Sequence, residues 1–139
     1  MNHRVLAIDP GDKHIGLALS DPTGTIANPL TVVNHISRAI DAAQITRIAT
    51  ENEVEIIVIG QALGDEGEVG PAARKAQRMA EAIRLQTNLQ VVLWDESGST
   101  MEAREARFEM GVSRRRRSGH LDKLAAVIIL QSYLDAHRH

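Results

Sequence analysis

Val5-Leu6-Ala7-Ile8-Asp9-Pro10-Gly11 is the stretch on which the fold turns. Four apolar residues in a row read as a buried strand. The run closes on a carboxylate, and Pro-Gly after it punctuates a turn. Ile15-Gly16-Leu17-Ala18-Leu19-Ser20 then reads as a second strand. Asp9 is therefore expected at the C-terminal end of a central strand, aimed into a cleft. A carboxylate there needs a metal, a cation or hydrogen bonds. Taken alone, Asp9 also reads as a turn former ahead of Pro-Gly.

Working outward, Asp21-Pro22-Thr23-Gly24-Thr25 reads as a hairpin turn, and 26–33 as a third strand that Pro29 confines to a sheet edge or a bulge. Short turns join these three strands into an antiparallel meander. Ile36, Ile40, Ala43, Ile45 and Ile48 then recur at helical spacing, giving a helix to about Asn52 with Ser37 or Asn34 as its cap. Glu55-Ile56-Ile57-Val58-Ile59-Gly60 is a β-branched run, the mark of a strand covered on both faces. Residues 61–70 read as a loop. Pro71 suits a first helical turn, and 72–86 reads as a helix that Asn88 ends. Gln90-Val91-Val92-Leu93-Trp94-Asp95-Glu96 is a fifth strand ending in carboxylates. Ser97 to Thr100 offer caps for a helix over 101–110, 114–119 reads as a basic loop, and a last helix runs from Leu121 to about Ala136. The order βββαβαβαα predicts one α/β domain over 1–139. Its mixed five-stranded sheet has strands one, four and five parallel and helices on both faces.

Composition bounds the function. The chain has 139 residues, no cysteine and one residue each of Trp, Tyr and Phe. Disulfides and thiolate metal sites are excluded, and base-stacking platforms have little material. With no signal-like N-terminal run and no apolar run of spanning length, the expectation is a cytoplasmic protein without a membrane partner. The net charge of −2 is uninformative, whereas Arg114 to Arg117 form an uninterrupted basic run.

Three carboxylates stand out. Asp9 ends strand one. Asp95 and Glu96 end strand five and face opposite ways, so one of them reaches the site, and Glu96 is the choice. Asp122 opens the last helix and shares a face with Ala125, Ala126 and Ile129. Parallel strands present their C-terminal ends on one sheet edge, where open α/β sheets place their sites. Each acid singly reads as a cap or a surface charge. Together they make a hard oxygen donor set that suits Mg²⁺ or Mn²⁺, and a pair of such ions is a known solution to phosphodiester cleavage.

These residues resemble a known family. Asp9-Pro10-Gly11-Asp12-Lys13-His14-Ile15-Gly16-Leu17-Ala18, Asp95-Glu96 followed by Ser99-Thr100, and Asp122 leading into Ala125-Ala126-Val127-Ile128-Ile129-Leu130 look like the YqgF family, RuvC-like members of the RNase H fold. The segment 60–67 with Ala73-Arg74 matches the family's central loop. The resemblance covers nearly the whole chain. It implies an RNase H-like fold and a metal-dependent nuclease with Asp9, Glu96 and Asp122 as catalytic metal ligands for two ions. It also implies action in 5′-end maturation of small-subunit ribosomal RNA. Some relatives resolve Holliday junctions, which keeps DNA open beside RNA. A pre-ribosomal particle is the implied partner, and the chain acts as a monomer or a homodimer.

The chain departs from the family in three places, one of them His120, which lies where Lys or Arg is common. Ser97 and Gly98 replace the family's Arg and its neighbour, which bears on substrate positioning, and Gln61-Ala62 stand where Pro is usual. Some RuvC enzymes bring a fourth ligand from the last helix, one turn before its Asp. His120 lies only two residues before Asp122, so it reads as a phosphate contact or a solvated residue. Arg114, Arg115, Arg116 and Arg117 precede the third acid and read as phosphate contacts in preference to a solvated run; Lys13 and His14 read as phosphate contacts or plain turn residues, and Arg74 as a further phosphate contact. Two rival functions are an actin-like sugar kinase, for which the chain is too short, and a non-catalytic RNA-binding protein, which gains nothing from buried acids facing a polyanion.

Overall fold

Strand β1 (Val5–Asp9) is the centre of the sheet. The computed structural model describes residues 3–64, 66–95 and 118–137, and the side chains of the last helix from Lys123 onward. The described elements are β1, β2 (His14–Ser20), β3 (Ala27–Asn34), α1 (Arg38–Glu51), β4 (Ile56–Gln61), α2 (Pro71–Arg84), β5 (Gln90–Asp95) and α3 (Ser118–Ala136). The sheet order is β3-β2-β1-β4-β5. β2 pairs antiparallel with β1 and β3, while β1, β4 and β5 run parallel. This is the mixed five-stranded sheet expected from the sequence.

Strand alternation divides the core into two layers. Leu6, Ile8, Ile15, Leu17, Ile57, Ile59 and Val91 face α1 and α2, where they meet Ala42, Ile45, Ala76, Ala80 and Ile83. Val5, Ala7, Ala18 and Val58 face α3, where they meet Ala126, Ile129, Leu130, Tyr133 and Leu134. Ala7, Ala18 and Ala126 are each fully buried, so α3 seats closely on the middle of the sheet. Gln131 extends the grip to the edge, accepting from Ala27 N at 3.0 Å and donating to Thr25 O at 3.1 Å.

β3 is an edge strand, as Pro29 requires. Ala18 pairs with Pro29 and Leu17 with Thr31, so the register slips between Leu17 and Ala18, where proline has no N–H to give the ladder. Ser37 caps α1, accepting from Ile40 N at 3.2 Å, and Pro71 occupies the first turn of α2.

Several boundaries differ from the sequence reading, and three have a visible cause. β4 continues through Gln61, because β5 supplies Asp95 as its register partner. α2 closes at Arg84 rather than near 86, because its buried stripe of Ala73, Ala76, Met79, Ala80 and Ile83 ends there and Leu85 is 88% exposed. α3 begins at Ser118 rather than Leu121, so Ser118 and Gly119 belong to its first turn and not to a loop. First-turn N–H groups have no intrahelical partner, which makes weak helix formers inexpensive there. The helix expected over 101–110 and the basic run Arg114–Arg117 lie outside the described residues.

Candidate functional site at the C-terminal sheet edge

The strand directions bring the ends of β1, β4 and β5, the start of β2 and the end of β3 to one edge of the sheet. Asp9 is half-buried at this edge. It continues the alternation of Val5 and Ala7, so it stands on the face that α3 covers. Its partner on β2 is Gly16, and Gly60 lies one step beyond the Ile8–Ile59 pair on β4. Neither neighbour puts a side chain beside the carboxylate. A hard oxygen donor with glycine on both flanking strands fits a hydrated divalent cation.

His14 shares the parity of Gly16 and Ala18 and stands on the same face as Asp9. Its Nδ1 lies 3.1 Å from Asn34 Oδ1, which fixes the ring on the β2–β3 ladder. Lys13 is exposed in the β1–β2 turn, and its carbonyl accepts from His35 N at 2.9 Å. Gly11 in the same turn has no room for a side chain, because a Cβ there would lie 1.9 Å from His14 O.

Asp95 has the parity of Val91 and Leu93, which places it on the α1/α2 side, away from Asp9. Its Oδ1 accepts from Leu63 N at 3.4 Å. Asp95 is thus tied to the 61–64 segment. Glu96 itself lies outside the described residues. Asp122 and His120 fall on the backbone of α3 in its first turns, and their side chains lie outside the description. Among the described residues no three His, Asp or Glu side chains converge on a metal position. Arg74 is on the first turn of α2, on the other face of the sheet from α3, and its Nη1 donates to Val69 O at 3.4 Å.

The sequence reading missed several features of this edge. Asp41 is 1% exposed and accepts from the His35 ring and from Ile36 N at 3.0 Å, which ties the β3–α1 connection to the helix. Its signal was present, since Asp41 stands four residues before Ile45 and eight before Ala49 on the buried stripe of α1. Lys75 donates to Asp12, joining α2 to the β1–β2 turn, and the ammonium lowers the Asp12 pKa below its ordinary value. Gln61 Oε1 is buried with no hydrogen-bond partner among the described residues.

Comparison with known proteins agrees with this architecture. The family model RuvX, described as Holliday junction resolvase, matches residues 3–136. A protein of Thermoanaerobacter pseudethanolicus named "Putative pre-16S rRNA nuclease" is 39% identical over 137 residues, covering 98% of this chain and 99% of that one. A Myxococcus xanthus protein of the same name is 39% identical over 135 residues, covering 97% of this chain and 89% of its own. Among solved structures, Thermus thermophilus RuvC in complex with a Holliday junction substrate superposes with a TM-score of 0.61 at 18% identity, covering 96% of this chain and 94% of that one. The Fowlpox virus resolvase bound to Holliday junction DNA gives 0.57 at 13% identity, covering 96% and 97%. These likenesses establish the RuvC-like, RNase H-type α/β fold.

Proposed function

The chain belongs to the RuvX family, and from that membership we propose that it is a metal-dependent nuclease that hydrolyses phosphodiester bonds in the 5′-end processing of pre-16S rRNA. The observation that carries the reading is Asp9, held at the C-terminal sheet edge between Gly16 and Gly60 on the face that α3 covers. Two counts along the sequence support its partners. Val92 and Trp94 pack toward α3, and the next residue of that parity is Glu96. Ala126, Ile129 and Tyr133 form the sheet-facing stripe of α3, and the same spacing counts back to Asp122. The whole chain then acts as one nuclease domain.

Asp9, Glu96 and Asp122 would hold Mg²⁺ or Mn²⁺, two ions in the full site. When bound, the metal supplies Lewis acidity toward the phosphate and an activated water. Asp9 contributes charge from a rigid strand end. His14, steadied by Asn34, and Lys13 offer cationic contacts to phosphate beside it. Cytoplasmic action on a pre-ribosomal particle follows from the same reading.

RNA is preferred over branched DNA because the rRNA-nuclease name belongs to relatives at 39% identity over nearly the full length. The junction-bound neighbours, at 18% and 13%, speak for the fold alone. The family description keeps Holliday junction resolution as the second reading. A cleavage panel of pre-16S leader RNA, single-stranded DNA and four-way junctions, with and without Mn²⁺, tests both. Asp9→Asn, Glu96→Gln and Asp122→Asn are each expected to lower the rate by orders of magnitude while the fold persists. Full activity in Glu96→Gln would transfer its role to Asp95. Full activity in all three would place the chemistry outside this trio, and wild type that binds RNA without cleaving it would be an RNA-binding protein.

A further inference from the structure

On the opposite side of the sheet from Asp9, a cleft of about 330 Å³ opens between α1, α2 and the β1–β2 turn. Gly11, His35, Ser37, Arg38, Asp41, Lys75, Arg78 and Met79 line it. Its charge is lopsided. Two acids bear on it, and both are engaged: Asp41 with the His35 ring and Ile36 N, Asp12 with Lys75. Arg38 and Arg78 have no anionic partner among the described residues, and both are exposed. Like charges brought to one cleft from two helices repel unless an anion lies between them. Lys75 and Arg78 stand three apart on one face of α2, and the capped N-terminus of α1 adds its dipole from the other wall.

We propose that this cleft binds a backbone phosphate, with its nucleotide, of the single-stranded segment flanking the bond cut at Asp9. The inference rests on the nuclease reading and specifies the substrate it takes. Three features favour a single strand. The volume suits about one nucleotide rather than a duplex, lying at the low end of small-ligand pockets. Arginine forks match phosphate oxygens in pairs. Gly11, two residues after Asp9, belongs to the wall, so one strand crossing the β1–β2 turn meets the acid edge on one side and the cleft on the other. Met79 and Gly11 leave an uncharged floor for sugar or base.

The test compares wild type with the double variant Arg38→Gln, Arg78→Gln. Labelled single-stranded RNA, labelled RNA duplex and AMP are titrated at several salt concentrations, with metal-dependent cleavage measured on the same preparations. Losing this one phosphate contact is expected to flatten the single-strand salt slope by about 0.7 and to weaken binding about 5-fold near 0.1 M salt. Duplex binding should change little. The Arg→Lys double variant, which keeps charge without the fork, should retain the slope, a result that a merely structural role for the arginines would not produce. An unchanged slope and affinity for the single strand overturns the proposal, as does an equal loss on duplex. Loss of AMP binding with RNA affinity untouched also overturns it and makes the cleft a free-nucleotide site. Failure of the nuclease reading is separately visible, as wild type that binds RNA without cleaving it.

Discussion

Asp21 shows how much one exposed carboxylate can organise. Its Oδ1 accepts from Thr25 N at 2.8 Å and Ile26 N at 2.9 Å, and its Oδ2 takes the Thr23 hydroxyl. The hydrogen bond from Ile26, then those from Thr23 and Thr25, hold its pKa far below the ordinary carboxylate value. A depressed folded-state pKa means that the ionised group stabilises the fold above the unfolded value and loses that contribution as pH falls through the folded one. The melting temperature of Asp21→Asn is therefore expected to lie below wild type from neutral pH down to about 5, with the gap narrowing below about 4 as the unfolded carboxylate protonates. A gap that stays constant from pH 7 to pH 3 would show that the hairpin turn does not depend on this charge. Asp-Pro-Thr-Gly-Thr announced the turn, though not the three donors that converge on one side chain.

Among the elements, α3 bears most on the site, because it covers the face on which Asp9 stands and carries Asp122. Its fit depends on small residues: Ala126 is fully exposed to none of the solvent and meets Ala7 and Ala18 in the same core layer. Ala126→Leu adds volume where neither backbone has room to yield. A loss of about 1–3 kcal/mol in unfolding free energy is expected, measured by urea denaturation. A neutral result would mean that α3 is seated more loosely than its burial implies. The strands were legible because their apolar runs are short, β-branched and closed by turn residues, and Pro29 announced the edge. Helix ends were less so. The end of α2 is set by where its buried stripe runs out at Ile83, and the start of α3 falls on Ser118-Gly119, weak helix formers that read as loop. Asp41 escaped for a related reason, since a carboxylate on an apolar stripe looks like an error in the pattern until its partner His35 is seen across the connection.

At the scale of the molecule, the sheet separates two kinds of electrostatics. Asp9 stands on the α3 face, while Arg38 and Arg78, without an anionic partner among the described residues, stand on the α1/α2 face, so a cation and a polyanion need not compete for one surface. A metal that binds only the native chain raises its stability, by about 2.7 kcal/mol at one hundred times the dissociation constant. Mn²⁺ is expected to raise the melting temperature of wild type and of the Arg38, Arg78 variant alike, and Asp9→Asn is expected to abolish the rise. A full rise in Asp9→Asn would place the metal elsewhere. The topology of this edge was readable in advance, because parallel strands must end together. The cleft behind it was not, because it is built from residues 35–41 and 75–79, which only the packing of α1 beside α2 brings together.

Trp94 is the chain's single tryptophan, and it lies on β5 against α3. Its indole donates to Ser132 Oγ at 3.1 Å, and the ring meets the single tyrosine, Tyr133, edge-on at 5.4 Å. At that range excitation of the phenol passes to the indole, so the folded chain emits as one chromophore. When α3 lifts from the sheet the transfer ends and phenol emission returns. The protein thus carries an optical gauge of whether the helix that covers the Asp9 face of the sheet is seated, one residue along the strand from Asp95, with no label added.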